Sequence, residues 1–172
     1  MDLFEAMEKR RSVRDFDSSR DVPLEIVEEL LRCACLAPSA GNVQPWRFCV
    51  VRDPSLRREL ARAALGQAFV AAAPLVIVVC ADLKAHASAY GERGVKLYSI
   101  QDTAAATQNL LLAATSLGLG SCWVGAFREA DAAAALRLEE GVRPLAIIPL
   151  GYPASSAKHV SRMDHRRLTV YL

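Results

Sequence analysis

Residues 95–117 carry no helix breaker and are rich in alanine and leucine on nearly every helical face. As one helix, at about 1.5 Å per residue, the stretch is roughly 35 Å long. A helix that is apolar all round must be buried all round. The chain has 172 residues, about one domain's worth, and that is small to enclose such a helix. The economical expectation is that part of it is covered by a second copy of the chain. Gly118 stands where a C′ glycine would end the helix.

The rest of the pattern alternates helix and strand. Asp2 and Glu5 resemble a capping box, and Leu3, Phe4 and Met7 form a short stripe, predicting a helix over 2–9. Asp21-Val22-Pro23 opens a second helix with Val27, Leu30, Leu31 and Ala34 on its buried face, and Pro38 ends it. A strand is expected over 47–52, and a helix carrying Leu56, Leu60 and Ala64 starts at Asp53-Pro54. The valine-rich run 75–80 reads as a fully buried central strand. A short strand over 121–125, a helix over 129–136 and a strand over 145–150 follow, and 168–172 could pair as an edge strand. The expected fold class is α+β, with four or five strands. The expected organisation is one domain over 1–172, its last part, about 153–172, forming a C-terminal arm.

Several function classes are disfavoured at this stage. A net charge of +2, from 21 basic and 19 acidic residues, argues against a general nucleic-acid binder. Cys33, Cys35, Cys49, Cys80 and Cys122 are odd in number and irregular in spacing, which is no disulfide framework and no zinc or iron–sulfur pattern. The N-terminus is acidic at Asp2, Glu5 and Glu8 and has no apolar core of a signal peptide. No run approaches the ~20 apolar residues of a membrane span. A reducing cytoplasm is the expected location.

Candidate chemistry lies in four places. Arg10-Arg11-Ser12-Val13-Arg14 places three guanidinium groups and a hydroxyl together; in an extended segment Arg10, Ser12 and Arg14 face one way. Guanidinium forks suit phosphate oxygens, although an isolated basic run more often faces water. The loop over 38–46, Pro-Ser-Ala-Gly-Asn-Val-Gln-Pro-Trp, offers Ser39, Asn42 and Gln44 between stiffening prolines. Such a set suits a flat heterocycle with imide-like edges; the plainer alternative is an ordinary connection. Residues 118–125 form a glycine-rich passage from helix to strand that would let a ligand approach the backbone. The tail holds Lys158, His159, Arg162, His165, Arg166 and Arg167, either a solvated arm or a reach toward phosphate. No dinucleotide fingerprint, Walker lysine, nucleophile motif or carboxylate dyad is present. A redox enzyme whose cofactor performs the chemistry needs none.

Taken in order along the chain, these segments resemble the FMN-dependent nitroreductase family. The resemblance rests on Arg-Arg-Ser-Val-Arg at 10–14, Ala-Pro-Ser-Ala-Gly-Asn-Val-Gln-Pro-Trp at 37–46 and Ala-Pro-Leu-Val-Ile-Val-Val at 73–79. Gln108-Asn109-Leu-Leu-Leu-Ala-Ala, followed by Gly118-Leu-Gly, completes it. It implies an α/β/α sandwich around a mostly antiparallel sheet, a long buried interface helix and a C-terminal arm exchanged within a homodimer whose FMN sites lie between subunits. By the same resemblance, Arg10, Arg11, Ser12 and Arg14 would hold the phosphate, ribityl chain and pyrimidine edge of FMN. Pro38, Ser39, Ala40 and Asn42 would reach the flavin held mainly by the other subunit. Val124 and Gly125 would present N–H groups near the reactive flavin nitrogen, beside Cys122 and Trp123. Gln67 would be a polar flavin contact and Arg162 would close on the phosphate from the tail. Many relatives carry a lysine where Val160 stands, which implies a weaker grip from the tail here. The implied activity is hydride transfer from NAD(P)H to the flavin and on to a small electron-poor acceptor such as a nitroaromatic or quinone, in ping-pong order. The alternatives are a specialised flavin oxidase or reductase of the same fold, or a flavin-binding protein without steady turnover. Larger members insert helices where this chain has only residues 81–94, so the pocket over the flavin is either open or covered by that segment.

Overall fold

The structure, a computed structural model, describes residues 1–157 and 160–172. Lys158 and His159 of the basic tail lie outside the described residues.

The N-terminal helix α1 (Leu3–Lys9) starts where the Asp2 carboxylate accepts the Glu5 N–H at 2.8 Å. The Glu5 side chain pairs with Lys9 instead of returning to the cap, so half of the expected capping box forms. Helix α2 (Leu24–Cys35) follows Pro23 and buries Val27, Leu30 and Ala34. Strand β1 (Trp46–Val51) leads to α3 (Pro54–Ala63), capped by Asp53, and then to the short α4 (Ala68–Ala72). Strand β2 (Leu75–Asp82) is buried along nearly its whole length. Helix α5 (Leu83–Arg93) passes through a π turn at Gly94–Tyr98 into α6 (Ser99–Ser116). Strand β3 (Gly120–Ser121), helix α7 (Glu129–Leu136) and strand β4 (Val142–Gly151) complete the ordered elements.

The strands form one four-stranded sheet in the order β1-β2-β4-β3, with every neighbouring pair antiparallel. The continuous apolar run of β2 follows from burial on both faces. Leu75, Ile77 and Val79 meet α2 and α6 through Leu30, Ala34, Ala106 and Leu110. Val76, Val78 and Cys80 meet α3, α4 and α7 through Leu60, Ala63, Val70 and Ala132. The expected α/β/α sandwich is therefore the observed one, with α6 running across the sheet.

The strand expected over 121–125 shortens to Gly120–Ser121, with Val124 in an isolated bridge to Ile147, and two further expectations change. Helix α6 is not apolar all round. One broad face, including Asp102, Thr103, Ala106, Thr107, Leu110 and Ala114, is buried within this chain, while Ile100, Gln101 and Gln108 are exposed. Its buried threonines are tolerated because Thr103 and Thr107 donate to the carbonyls of Ser99 and Thr103, each at 2.7 Å. The second change concerns residues 168–172, which form no strand with this sheet and are exposed. They pair with neither edge strand, β1 or β3, and an apolar segment of this length is no stable strand by itself.

Candidate functional site

The basic segment after α1 is held extended by its backbone. Val13 N–H donates to Ser121 O at 2.9 Å, and Asp17 N–H to Tyr152 O at 2.8 Å. Val13 and Phe16 turn inward against Ala73, which leaves Ser12 and Arg14 facing out. Gly120 permits this docking: a Cβ there would stand 2.7 Å from Val13 Cγ1. Within the 118–125 passage, Gly120 thus serves chain packing.

Arg10, Arg11, Ser12 and Arg14 line one open cavity of about 610 Å³, together with Asp15, Ser155 and Arg162 from the tail. Arg10, Arg11, Arg14 and Arg162 form no ion pair among the described residues. Arg11 donates to the carbonyl of Arg10 at 2.8 Å, and Arg14 stands over the Phe69 ring at 5.6 Å. Burial, then the charges of Arg162 and Arg11, holds the Arg10 guanidinium below its ordinary value. Cations gathered without counter-charge repel one another, and an anion placed among them relieves that repulsion. A phosphate matches this donor set in both charge and geometry. Asp15 does not supply the missing charge to the arginines; its Oδ2 accepts from Ser155 Oγ at 2.7 Å.

Beneath the cluster lies Cys122. Burial pushes its thiol up, against the pull of Arg14, the Ser12 hydroxyl and Arg10. Trp123 beside it is exposed. The N–H groups of the next two residues differ in what they are committed to. Val124 N–H is committed to Ile147 O at 2.9 Å, in an isolated bridge that extends the sheet edge. It is not free for a ligand, whereas Gly125 is exposed and its N–H makes no backbone hydrogen bond among the described residues. Gln67 joins this region by donating to Ala126 O at 3.2 Å and Ala64 O at 3.0 Å, which leaves its carbonyl oxygen available.

Pro38, Ser39, Ala40 and Asn42 do not line the arginine cavity. They belong to a tight turn containing a single 3-10 turn at Ala40–Asn42. Ser39 Oγ accepts the Gln44 N–H at 3.0 Å, and Asn42 Oδ1 accepts from Gln44 Nε2 at 3.1 Å. Sequence reasoning missed what anchors the turn. Asp102 and the fully buried His86 sit behind it. The signal was legible, since Asp102 is the one charged residue of α6, in its first turn.

No helix among the described residues is long and apolar enough to cross a membrane. The sequence profile of the Nitroreductase family matches residues 7–93 and 61–152. A protein of Thermus thermophilus named NADH dehydrogenase is 34% identical over 99% of this chain and 96% of its own length. The FMN reductase (NADPH) of Bacillus subtilis is 32% identical, over 88% of this chain and 66% of its own. Among solved structures, the NADPH:FMN oxidoreductase of Vibrio harveyi complexed with NAD+ superposes with a TM-score of 0.89 at 27% identity, covering 98% of this chain and 76% of that one.

Proposed function

The chain belongs to the nitroreductase family and is an oxidoreductase; on that premise we propose that it is an FMN-dependent NAD(P)H:acceptor oxidoreductase acting as a homodimer in the cytoplasm. The carrying observation is the arginine cluster around one cavity, with no ion pair to any of its four guanidiniums among the described residues. Arg10, Arg11, Ser12 and Arg14 hold the phosphate, ribityl chain and pyrimidine edge, and Arg162 closes on the phosphate. A compact phosphate cluster and the lack of a dinucleotide fingerprint favour FMN over FAD. The Bacillus subtilis relative, by its name an FMN reductase, supports the same choice. Pro38, Ser39, Ala40 and Asn42 reach the flavin of the other subunit, which accounts for their standing outside the cavity lined by their own chain's arginines. Gly125 donates its N–H near the flavin's reactive edge, Gln67 offers a carbonyl oxygen, and Cys122 and Trp123 flank them.

The bound flavin supplies hydride transfer, from NAD(P)H and on to a small electron-poor acceptor such as a nitroaromatic or quinone, in ping-pong order. The protein binds and orients, and Arg14 contributes a fixed positive charge where negative charge develops. Mass spectrometry of the cofactor released on denaturation checks the first half of the proposal, and FAD or no flavin sinks it. Initial rates with a nitroaromatic or quinone, varied against NAD(P)H, check the second half. Parallel double-reciprocal lines are expected; intersecting lines contradict the ping-pong order.

No side chain is required as a nucleophile. Cys122→Ser is expected to keep its flavin and to reduce it with NAD(P)H within a few-fold of the parent rate, because the thiol is buried and held protonated. Stopped-flow bleaching of the flavin band measures this. A flavin-loaded variant with no hydride transfer would make the thiol part of the chemistry.

A further inference from the structure

The turn over 39–44 holds three left-handed residues: Gly41 at φ 53°, Asn42 at φ 58° and Gln44 at φ 52°. Left-handed backbone at two non-glycine residues persists only where the surroundings over-determine it. What does so is buried in α6. Both carboxylate oxygens of Asp102 accept the Ala40 N–H, at 3.2 and 3.1 Å. Its Oδ2 also meets His86 Nε2 at 2.9 Å. His86 is wholly buried on α5, and its Nδ1 has no partner among the described residues. The carboxylate only accepts, so Nε2 is the donor, and Nδ1 is left a buried acceptor with no donor among the described residues. Tyr90, one turn further along α5, presses its hydroxyl against Gly41, where a Cβ would collide with it.

We infer that the Asp102–His86 pair is a positioning device for this turn: it fixes the Ala40 N–H from below, and so sets Ser39 and Asn42 in the orientation that receives the flavin. The inference rests on the flavin reading above, but it places Asp102 and His86 in that site only through Ala40. Neither residue touches the cofactor. It also gives residues 81–94 a role: α5 supplies both His86 and Tyr90, and braces the turn from two sides.

Asp102→Asn tests it with little change of shape. The amide keeps a single acceptor oxygen, and its NH2 turned toward Nε2 would force a proton onto Nδ1, a buried donor with no acceptor. Two readouts are taken on purified protein. In cofactor-stripped protein, amide hydrogen exchange at 40–44 is expected to speed up several-fold, with strand β2 unchanged. In FMN titrations followed by flavin fluorescence, affinity is expected to fall about tenfold, the loss of one hydrogen bond to a charged group. His86→Phe, which keeps a ring beside Tyr90 and Tyr98 but removes the donor, is expected to move both readouts the same way. Unchanged exchange at 40–44 with FMN affinity within about twofold of the parent in both variants overturns the inference. Exchange that rises equally in β2 also overturns it, because it marks a general loss of stability. A parent protein that binds no FMN is a different result: it fails the flavin reading, and the exchange data still judge the device.

Discussion

Arg10→Ala is expected to cost the protein its flavin while leaving the cofactor-free fold as stable as before, or slightly more so. The opposite signs follow from where Arg10 sits. It is half-buried, and both its burial and the charges of Arg162 and Arg11 disfavour its charged form. Among the described residues it has no carboxylate partner. Removing it therefore removes a repulsion from the empty protein. With phosphate present the balance reverses, because a hydrogen bond to a charged group contributes about 1.5–3 kcal/mol. That corresponds to roughly tenfold to a hundredfold weaker FMN binding. Arg14→Ala is expected to weaken binding too, but with some loss of stability, since Arg14 also covers the Phe69 ring. Arg58→Ala, an exposed change on α3, is the control. Arg20 would not serve as one, because its guanidinium stacks on Tyr152 at 3.5 Å. Fluorescence titration of stripped protein with FMN, beside the melting temperature of the stripped form, gives both signs. An Arg10→Ala variant that loses stability and flavin together would mean that Arg10 is a packing residue, and the anion site would have to be sought elsewhere.

The fold was legible where a segment's pattern answers to a single requirement. The run of β2 is apolar at every position because both sheet faces are covered, and no alternating strand reads that way. The helix over Glu129–Leu136 and the cap at Asp53 appear where propensity and capping rules place them. The reading of α6 went too far because alanine was counted as apolar on every face. Alanine is equally at home in a half-covered position, and Gln101 and Gln108 mark the side that faces out. Residues 168–172 have strand composition, but composition cannot say which sheet edge, or whose, would receive them.

The candidate site was legible in its charges and not in its scaffolding. Arg10, Ser12 and Arg14 fall on one side because the backbone there is extended, held by the bond from Val13 N–H to Ser121 O, while Arg11 lines the same cavity although alternation would turn it away. Arg162 joins them from far along the chain, a meeting that no local rule dictates. The N–H of Val124 could not be foreseen as spent, since its partner, Ile147, lies on a strand distant in sequence. His86 was passed over for the same reason: a lone histidine means little until its carboxylate is found, and Asp102 lies sixteen positions away on the next helix.

Leu112→Glu is expected to give a folded monomer without flavin. Leu112 is half-buried and lines an open apolar groove of about 270 Å³ with Leu3, Ala6, Leu36 and Ala113, where α1, α2 and α6 meet. Around the groove the surface stays apolar: Phe4 is 75% exposed and Leu36 68%. The chain also ends in an uncovered apolar stretch, with Val170 at 79% and Tyr171 at 89% exposure. Apolar surface of this kind marks an interaction site, and a second copy of this chain would bring its own groove and its own arm. On a lone chain a glutamate at Leu112 can reach water, so the fold should survive. In a covered interface it is a buried unpaired charge costing about 3–5 kcal/mol, and two-fold symmetry imposes that cost twice. On the proposed arrangement flavin goes with the dimer, because the Pro38–Asn42 region of one chain would serve the cofactor held by the arginines of the other. Ala106→Glu would not separate these effects, since Ala106 is fully buried in its own chain's core and the variant would fail to fold whether or not a dimer exists. Sedimentation gives the mass, far-ultraviolet circular dichroism the fold, and absorbance near the flavin band the cofactor. A well-folded monomer that still carries one FMN per chain would break the link between interface and site, and a variant that remains a yellow dimer would move the interface away from this groove.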